Sequence, residues 1–255
     1  MKALRYLEPG IAIGAMLLLG MAAFSGRTAP RHVVLGAYAT DLEGRTPNQR
    51  HNAQLAASAL DGAVIMPGQV FSFNKLVPGW TADRGYRPAP VSYDGILVDD
   101  YGGGVCQTST TVYNAALLAG LPILERHQHT FAPSYAPPGR DAAVAYSNVD
   151  LRFKNPFPWP ITVHVGIDGA MLVCRIEGSG TTPDRAVVSA EVLDRFTPPV
   201  AIVQPGAGAR RSRWRLQGRD GVRIAIYRDF YRGGRRVKRE LVSDNTYRAI
   251  SRARW

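Results

Sequence analysis

Apolar positions recur at spacings of three and four from Pro47 or Asn48 through Asn52, Leu55, Ala56, Ala59 and Leu60. This predicts a helix with one face on a core and Gly62 as its stop. The stretch before it, 31–47, reads as a polar segment. Residues 64–66 and the group Val70, Phe71 and Phe73 predict two short strands joined tightly by Pro67-Gly68, and 79–85 a surface loop. Residues 91–98 carry a turn signal at Asp94-Gly95. A second helix is expected from about Thr108 to Ala119, with Val112, Ala115, Ala116 and Leu118 inward and Gly120 after it. Residues 123–131 alternate and predict an extended segment with His127 and His129 on one face. Strands over 149–153, 161–165 and 171–176 fit an antiparallel meander, and 222–230, Gly233-Gly234 and 237–242 a hairpin. The fold class is α+β: mainly antiparallel sheet with two or three packed helices, plus a small basic β-rich C-terminal region.

Composition adds a compartment. A chain of 255 residues with 45% hydrophobic and 20% charged residues can bury one core and a small appendage. Lys2 and Arg5 precede an uncharged apolar run over 11–24, followed by Ser25 and Gly26, which reads as an export signal. The run is short beside the ~20 residues of a bilayer span, which favours a cleaved signal over a membrane anchor. Residues after 30 are then expected outside the cytoplasm, the protein being secreted or held at the membrane by its N-terminal segment.

The net charge of +11 is concentrated late: beyond residue 180 stand 17 Lys and Arg against 7 Asp and Glu. For an exported protein the polyanions within reach are lipid headgroups and anionic envelope polymers, not nucleic acid. A solvated face without a partner explains the charge equally well. Only Lys2, Lys75, Lys154 and Lys238 are lysines, so the arginine excess is not read as phosphate recognition.

The sharpest chemical feature is Cys106, which follows Gly102, Gly103 and Gly104. Three glycines give backbone room for a substrate and permit positive φ. A helix starting just after the cysteine points free N–H groups at the sulfur and favours thiolate. Gln107, Ser109 and Thr110 add donors for an oxyanion. A base is also required, and His127 and His129 are the nearest histidines, with Glu125, Asp141 or a backbone carbonyl to orient whichever faces the thiol; His129 is the first choice.

Other readings stay open. Cys106 and Cys174 could form a structural disulfide, or Cys106 could be a buried thiol. Cys106, His127 and His129 could hold a catalytic zinc. Arg140 and Asp141 fit a substrate clamp or a satisfied turn pair, while His32, His51 and His164 are unclustered. No cofactor is required by the acyl-transfer reading.

Four stretches in one order resemble the VanW family: 67–74, 102–116 with its Gly-Gly-Gly-Val-Cys-Gln piece, 125–129, and 139–142. The resemblance covers roughly 45–180 and implies a VanW domain over 31–180, between an N-terminal signal or anchor (1–30) and the basic region (181–255). Some VanW domains are regarded as L,D-transpeptidases of peptidoglycan, which implies a cysteine acyltransferase acting on stem peptides. In such a reaction the thiolate attacks the L-centre carbonyl of a tetrapeptide stem, releases D-alanine and forms a thioester that a neighbouring amine resolves. The better-known L,D-transpeptidases carry His-Gly-Cys, whereas Gly104-Val105 precede Cys106 here. A non-catalytic wall-binding accessory protein is the alternative.

Overall fold

The computed structural model describes residues 5–6, 32–93, 96–146, 148–182, 184–198, 200–202, 218–250 and 252–254. The expected signal or anchor over 1–30 and the Asp94-Gly95 turn lie outside these, apart from β1 (Arg5–Tyr6), which pairs with Glu191 and Ala190. Among the described residues no helix is long and apolar enough to cross a membrane.

The architecture is α+β, with strands that pair almost entirely antiparallel. Its centre is a sheet ordered β2-β10-β9-β3, built from β2 (Val33–Asp41), β3 (Ala63–Ile65), β9 (Ile161–Asp168) and β10 (Met171–Gly178). Strand β2 replaces much of the expected polar segment. Its small residues bring it flush against helix α3 (Val105–Leu118): a Cβ at Gly36 would lie 2.3 Å from Ala119 N.

Helix α1 (Pro47–Leu60) starts where the periodicity predicts. Thr46 Oγ1 accepts from Gln49 N–H at 3.2 Å, and Gln49 Oε1 accepts from Thr46 N–H at 3.1 Å, a reciprocal cap with Pro47 just inside it. Its buried face is Ala53, Ala56, Ala57 and Leu60. Such small side chains let α3 approach closely.

Helix α3 is buried on nearly every side, although it carries a run of Gln, Thr, Ser and Asn. Each of these Gln, Thr, Ser and Asn side chains has a partner, as burial in a core requires. Gln107 Nε2 donates to Thr40 Oγ1 at 3.1 Å and Asp41 O at 2.8 Å, Thr108 Oγ1 to Ala53 O at 3.2 Å, and Thr111 Oγ1 to Gln107 O at 2.8 Å. These bonds fix α3 against both β2 and α1.

Pro67-Gly68 makes the expected turn, but the strands it joins enter different sheets. β3 pairs with β9, whereas β4 (Val70–Ser72) pairs with β8 (Arg152–Lys154), and Phe73 opens the short helix α2 (Phe73–Leu76). Phe71 and Phe153 stack across β4 and β8 with centroids 4.4 Å apart. The expected meander is therefore limited to the β9–β10 hairpin, since β8 lies between β4 and β7 (Ile123–Glu125). Strands β5 (Pro88–Tyr93) and β6 (Ile96–Tyr101) form a separate hairpin.

The basic C-terminal region contains the long strands β11 (Arg185–Phe196), β13 (Gly221–Arg232) and β14 (Arg235–Tyr247). The last two are the predicted hairpin, longer than its sequence signal. A short parallel pair joins β12 (Val200–Ile202) to β15 (Arg252–Arg254).

Candidate active site around Cys106

Helix α3 begins earlier than expected, so Cys106 is its second residue rather than a residue before it. Gly104, at φ 107, is the cap, and Val105 N–H donates to Gly102 O at 2.9 Å. Asn52 Nδ2 holds Gly103 O at 3.0 Å. The space that side chains would occupy on the three glycines is filled by the protein: a Cβ at Gly102 would meet Trp80 at 2.4 Å, at Gly103 Pro90 O at 2.8 Å, and at Gly104 Gln49 O at 2.2 Å. The expected room for a substrate is used for internal packing. The glycines let the turn nest between α1, β5 and Trp80, which fixes the cysteine.

Around the sulfur, the chain converges from three directions. Cys106 Sγ, half-buried, lies 3.5 Å from Val144 O. The His129 imidazole lies close enough to act on the same sulfur, while its Nδ1 stands 2.6 Å from Asp141 Oδ2. With Nδ1 on the carboxylate, Nε2 is the nitrogen left for the sulfur. Cys106, His129 and Asp141 thus form a relay from a helix start, an irregular segment and a proline-bounded turn.

The electrostatics support a charge-separated pair. Burial opposes ionisation of Cys106, but the His129 hydrogen bond and charge outweigh it, and the thiol sits below its ordinary range. Burial would likewise discharge His129, yet its bonds to Asp141 and Cys106 lift the imidazole to about 10. Together the two shifts favour thiolate and imidazolium over the neutral pair. By contrast, burial pushes the Cys174 thiol up on β10. Both cysteines are free, so the disulfide reading is excluded in this structure.

Asp141 is fully buried and accepts four hydrogen bonds. His129 gives its backbone N–H at 2.8 Å and Nδ1 to Oδ2; Arg126 Nη2 at 2.7 Å and Tyr247 Oη donate to Oδ1. Burial raises its pKa, but the His129 and Arg126 interactions prevail and the carboxyl stays below its ordinary value. Asp141 is thereby placed to orient the histidine, one of the roles open to it from sequence.

The two histidines separate. His127 Nε2 pairs with Glu125 Oε1 at 3.0 Å near the surface, and its neighbourhood is not that of Cys106. The regular strand ends at Glu125, so the two-residue alternation stops before His129, which falls with Arg126 on Asp141. Among the described residues no group of three His, Cys, Asp or Glu is placed to hold a metal ion, so the zinc reading finds no ligand set there.

The remaining nominated residues are structural neighbours of the relay. Gln107 points to Thr40 and Asp41. Ser109 Oγ donates to Ala142 O at 2.6 Å, and Thr110 Oγ1 accepts from Ala142 N–H at 2.9 Å, which pins the residue after Asp141. Arg140 packs over the Tyr38 ring at 5.3 Å and bonds Asn114. Its guanidinium is buried, which fits a structural role better than a substrate clamp.

Two contributors were not nominated from sequence. Arg126 lay inside a recognised stretch without a role. Tyr247, 106 residues beyond Asp141, has no local signal at all. Tyr135, whose ring lies 5.0 Å from the Arg45 guanidinium, is a further aromatic neighbour of the site; burial raises its phenol well above the ordinary range.

Comparison with known proteins agrees with the recognised stretches. The chain is 38% identical over 151 residues to YoaR of Bacillus subtilis (strain 168), covering 59% of this chain and 50% of that protein. It is 29% identical over 134 residues to the vancomycin B-type resistance protein VanW of Enterococcus faecalis (strain ATCC 700802 / V583), covering 51% and 49%. The chain thus spans about half the length of these relatives. No solved structure matches significantly. The family described as VanW like protein matches residues 48–177, a span that holds Cys106, His129 and Asp141 but neither Asn245 nor Tyr247. Such membership suggests a cell-wall-associated protein. On this match over half its length, the chain belongs to the VanW family.

Proposed function

We propose that the protein is an extracytoplasmic cysteine acyltransferase of L,D-transpeptidase type, acting on peptidoglycan stem peptides. The observation that carries this reading is the Cys106–His129–Asp141 relay, with its half-buried thiol and a histidine held to Asp141 by both ring and backbone. The thiolate attacks the L-centre carbonyl of a tetrapeptide stem, and the C–S bond forms as charge moves to the carbonyl oxygen. Cys106 backbone N–H, in the first helical turn and without an i−4 acceptor inside α3, is available to that oxyanion.

His129 then passes its Nε2 proton to the departing D-alanine nitrogen as the C–N bond breaks, leaving a thioester and a neutral imidazole. An amine from a second stem attacks the thioester; His129 takes its proton, and the thiolate is released. Protons and bonds balance over the two half-reactions. Asp141 holds the imidazole throughout and stabilises its charge, without itself being protonated.

The test is incubation of the purified full chain with tetrapeptide-containing muropeptides, read by mass spectrometry. A thioester on Cys106 and new crosslinks are expected. Equal product from Cys106→Ala would sink the reading.

A complementary envelope-binding role is favoured by the β13–β14 hairpin, where Arg232, Arg235, Arg236, Lys238 and Arg239 are all exposed. Anionic wall polymers or lipid headgroups are the partners such a surface would take. Retention on insoluble wall material at low salt and release at high salt is the expected result; no retention at low salt excludes it.

A further inference from the structure

We infer that Tyr247, at the end of β14 in the basic C-terminal region, is a positioning residue for the Cys106–His129 pair, acting through Asp141. This rests on the acyl-transfer reading for its purpose but not for its test. The C-terminal sheet is then part of the catalytic centre, although it lies beyond the span matched by the family.

The geometry is specific. Tyr247 is 1% exposed, and its hydroxyl is fully engaged: it donates to Asp141 Oδ1 and accepts from Gly139 N–H at 2.8 Å and Arg126 Nη2 at 3.3 Å. A phenol has one hydrogen to give, and here it goes to the carboxylate. Oδ1 is therefore clamped between Tyr247 and Arg126, which turns Oδ2 toward the two N–H groups of His129. The Gly139 bond ties the turn that carries Asp141 to the same hydroxyl.

The strand also grips the segment that carries the histidine. Asn245 Oδ1 accepts from Arg126 Nη1, Thr246 O accepts from Gln128 Nε2 at 2.7 Å, and Arg248 N–H donates to Thr130 O at 2.9 Å. Further along, Arg219 donates to Ala132 O. Residues on both sides of His129 are thus held by β14 and the chain just after it. A bond to Asp141 and bonds to the His129 segment from one strand fix the distance between acid and base.

A fold-only role for Tyr247 makes a different prediction from a positioning role, and Tyr113 supplies the comparison. It too is buried, its ring lies 5.5 Å from the Arg126 guanidinium, and among the described residues its hydroxyl has no hydrogen-bond partner. Tyr113→Phe removes an idle buried hydroxyl near the same arginine; Tyr247→Phe removes one that holds Asp141.

The experiment is the rate of Cys106 alkylation by iodoacetamide across pH, on the full chain, with folding checked by circular dichroism. In Tyr247→Phe the His129–Asp141 geometry relaxes and the imidazolium is less stabilised, so the profile moves to higher pH and the rate at pH 7 falls several-fold. Tyr113→Phe keeps the parent profile. A parental or acid-shifted profile in folded Tyr247→Phe, or an equal shift in both variants, overturns the inference. If Tyr247→Phe does not fold, Asn245→Ala, which loosens Arg126 from the same strand, is read against the same outcomes. Alkylation needs no wall substrate, so absent crosslinking would overturn the substrate assignment while the shifted profile upheld the positioning role.

Discussion

One carboxylate oxygen, Asp141 Oδ2, receives both the ring Nδ1–H of His129 at 2.6 Å and its backbone N–H at 2.8 Å. The double attachment fixes the ring and the chain that carries it together. The imidazole can then neither turn its other nitrogen from Cys106 nor leave with a local backbone motion. Four predictions follow from this geometry and its surroundings.

Asp141→Asn preserves shape but removes the charge that holds the imidazolium. Loss of the equivalent charge in a serine triad costs about 10⁴ in turnover, and a fall of ~10³ or more is expected for crosslinking here. The substitution also leaves Arg126 buried without its anion, at a cost of ~3–5 kcal/mol in stability. Muropeptide product and urea unfolding measure the two separately.

If the proposed acyl transfer operates, its pH dependence runs through the charged pair. Product formation rises as Cys106 ionises, below the ordinary thiol range, and falls as His129 loses its proton near pH 10. The stability contribution of His129 has the same upper edge. Its folded pKa is raised, so the contribution is complete below the ordinary value of 6.5 and is lost as pH rises through about 10. Asp141 acts at the other end: its pKa is depressed, so its contribution is present above 3.8 and lost as pH falls through its lowered folded pKa. Urea midpoints from pH 3 to 11 would reveal both edges.

Iodoacetamide distinguishes the cysteines. Cys106 is half-buried with its thiol held below the ordinary range, whereas Cys174 is fully buried with its thiol pushed up. Intact mass spectrometry should show one adduct on the native chain and two after denaturation. Peptide mapping should place the native adduct on Cys106.

Gly104→Ala tests how the cysteine is seated. The position has φ 107, and the added Cβ would lie 2.2 Å from Gln49 O. The backbone conformation alone costs ~1–3 kcal/mol for a residue with a side chain, and the contact forces the start of α3 away from α1. Lower stability and slower Cys106 alkylation are expected together. Parental values for both would show that the turn has more freedom than its packing implies.

Much of the fold was legible because it is written in local periodicity. Helix α1 starts at Pro47 with its cap, and the β13–β14 hairpin turns at Gly233-Gly234, both from signals a few residues long. Strand β2 was hidden because Gly36, Ala37 and Ala39 weaken its apolar pattern, and only the close approach of α3 explains Gly36. The start of α3 was misjudged for a related reason. A glycine cap at positive φ carries no side-chain cap signal, so Cys106 was expected outside the helix it opens.

The sequence by itself determined α1, the C-terminal hairpin and the family, and singled out Cys106, because glycine conformation, helix periodicity and motif order are properties of short stretches. Tertiary structure alone decided which histidine faces the sulfur. Residues 127 and 129 are equivalent by alternation, and they part because the regular strand ends at Glu125, leaving His129 on Asp141 and His127 on Glu125. It also decided that Asp141 is held by Tyr247, a contact across 106 residues. A buried carboxylate must collect its donors from wherever the folded chain supplies them, and no local pattern records that requirement.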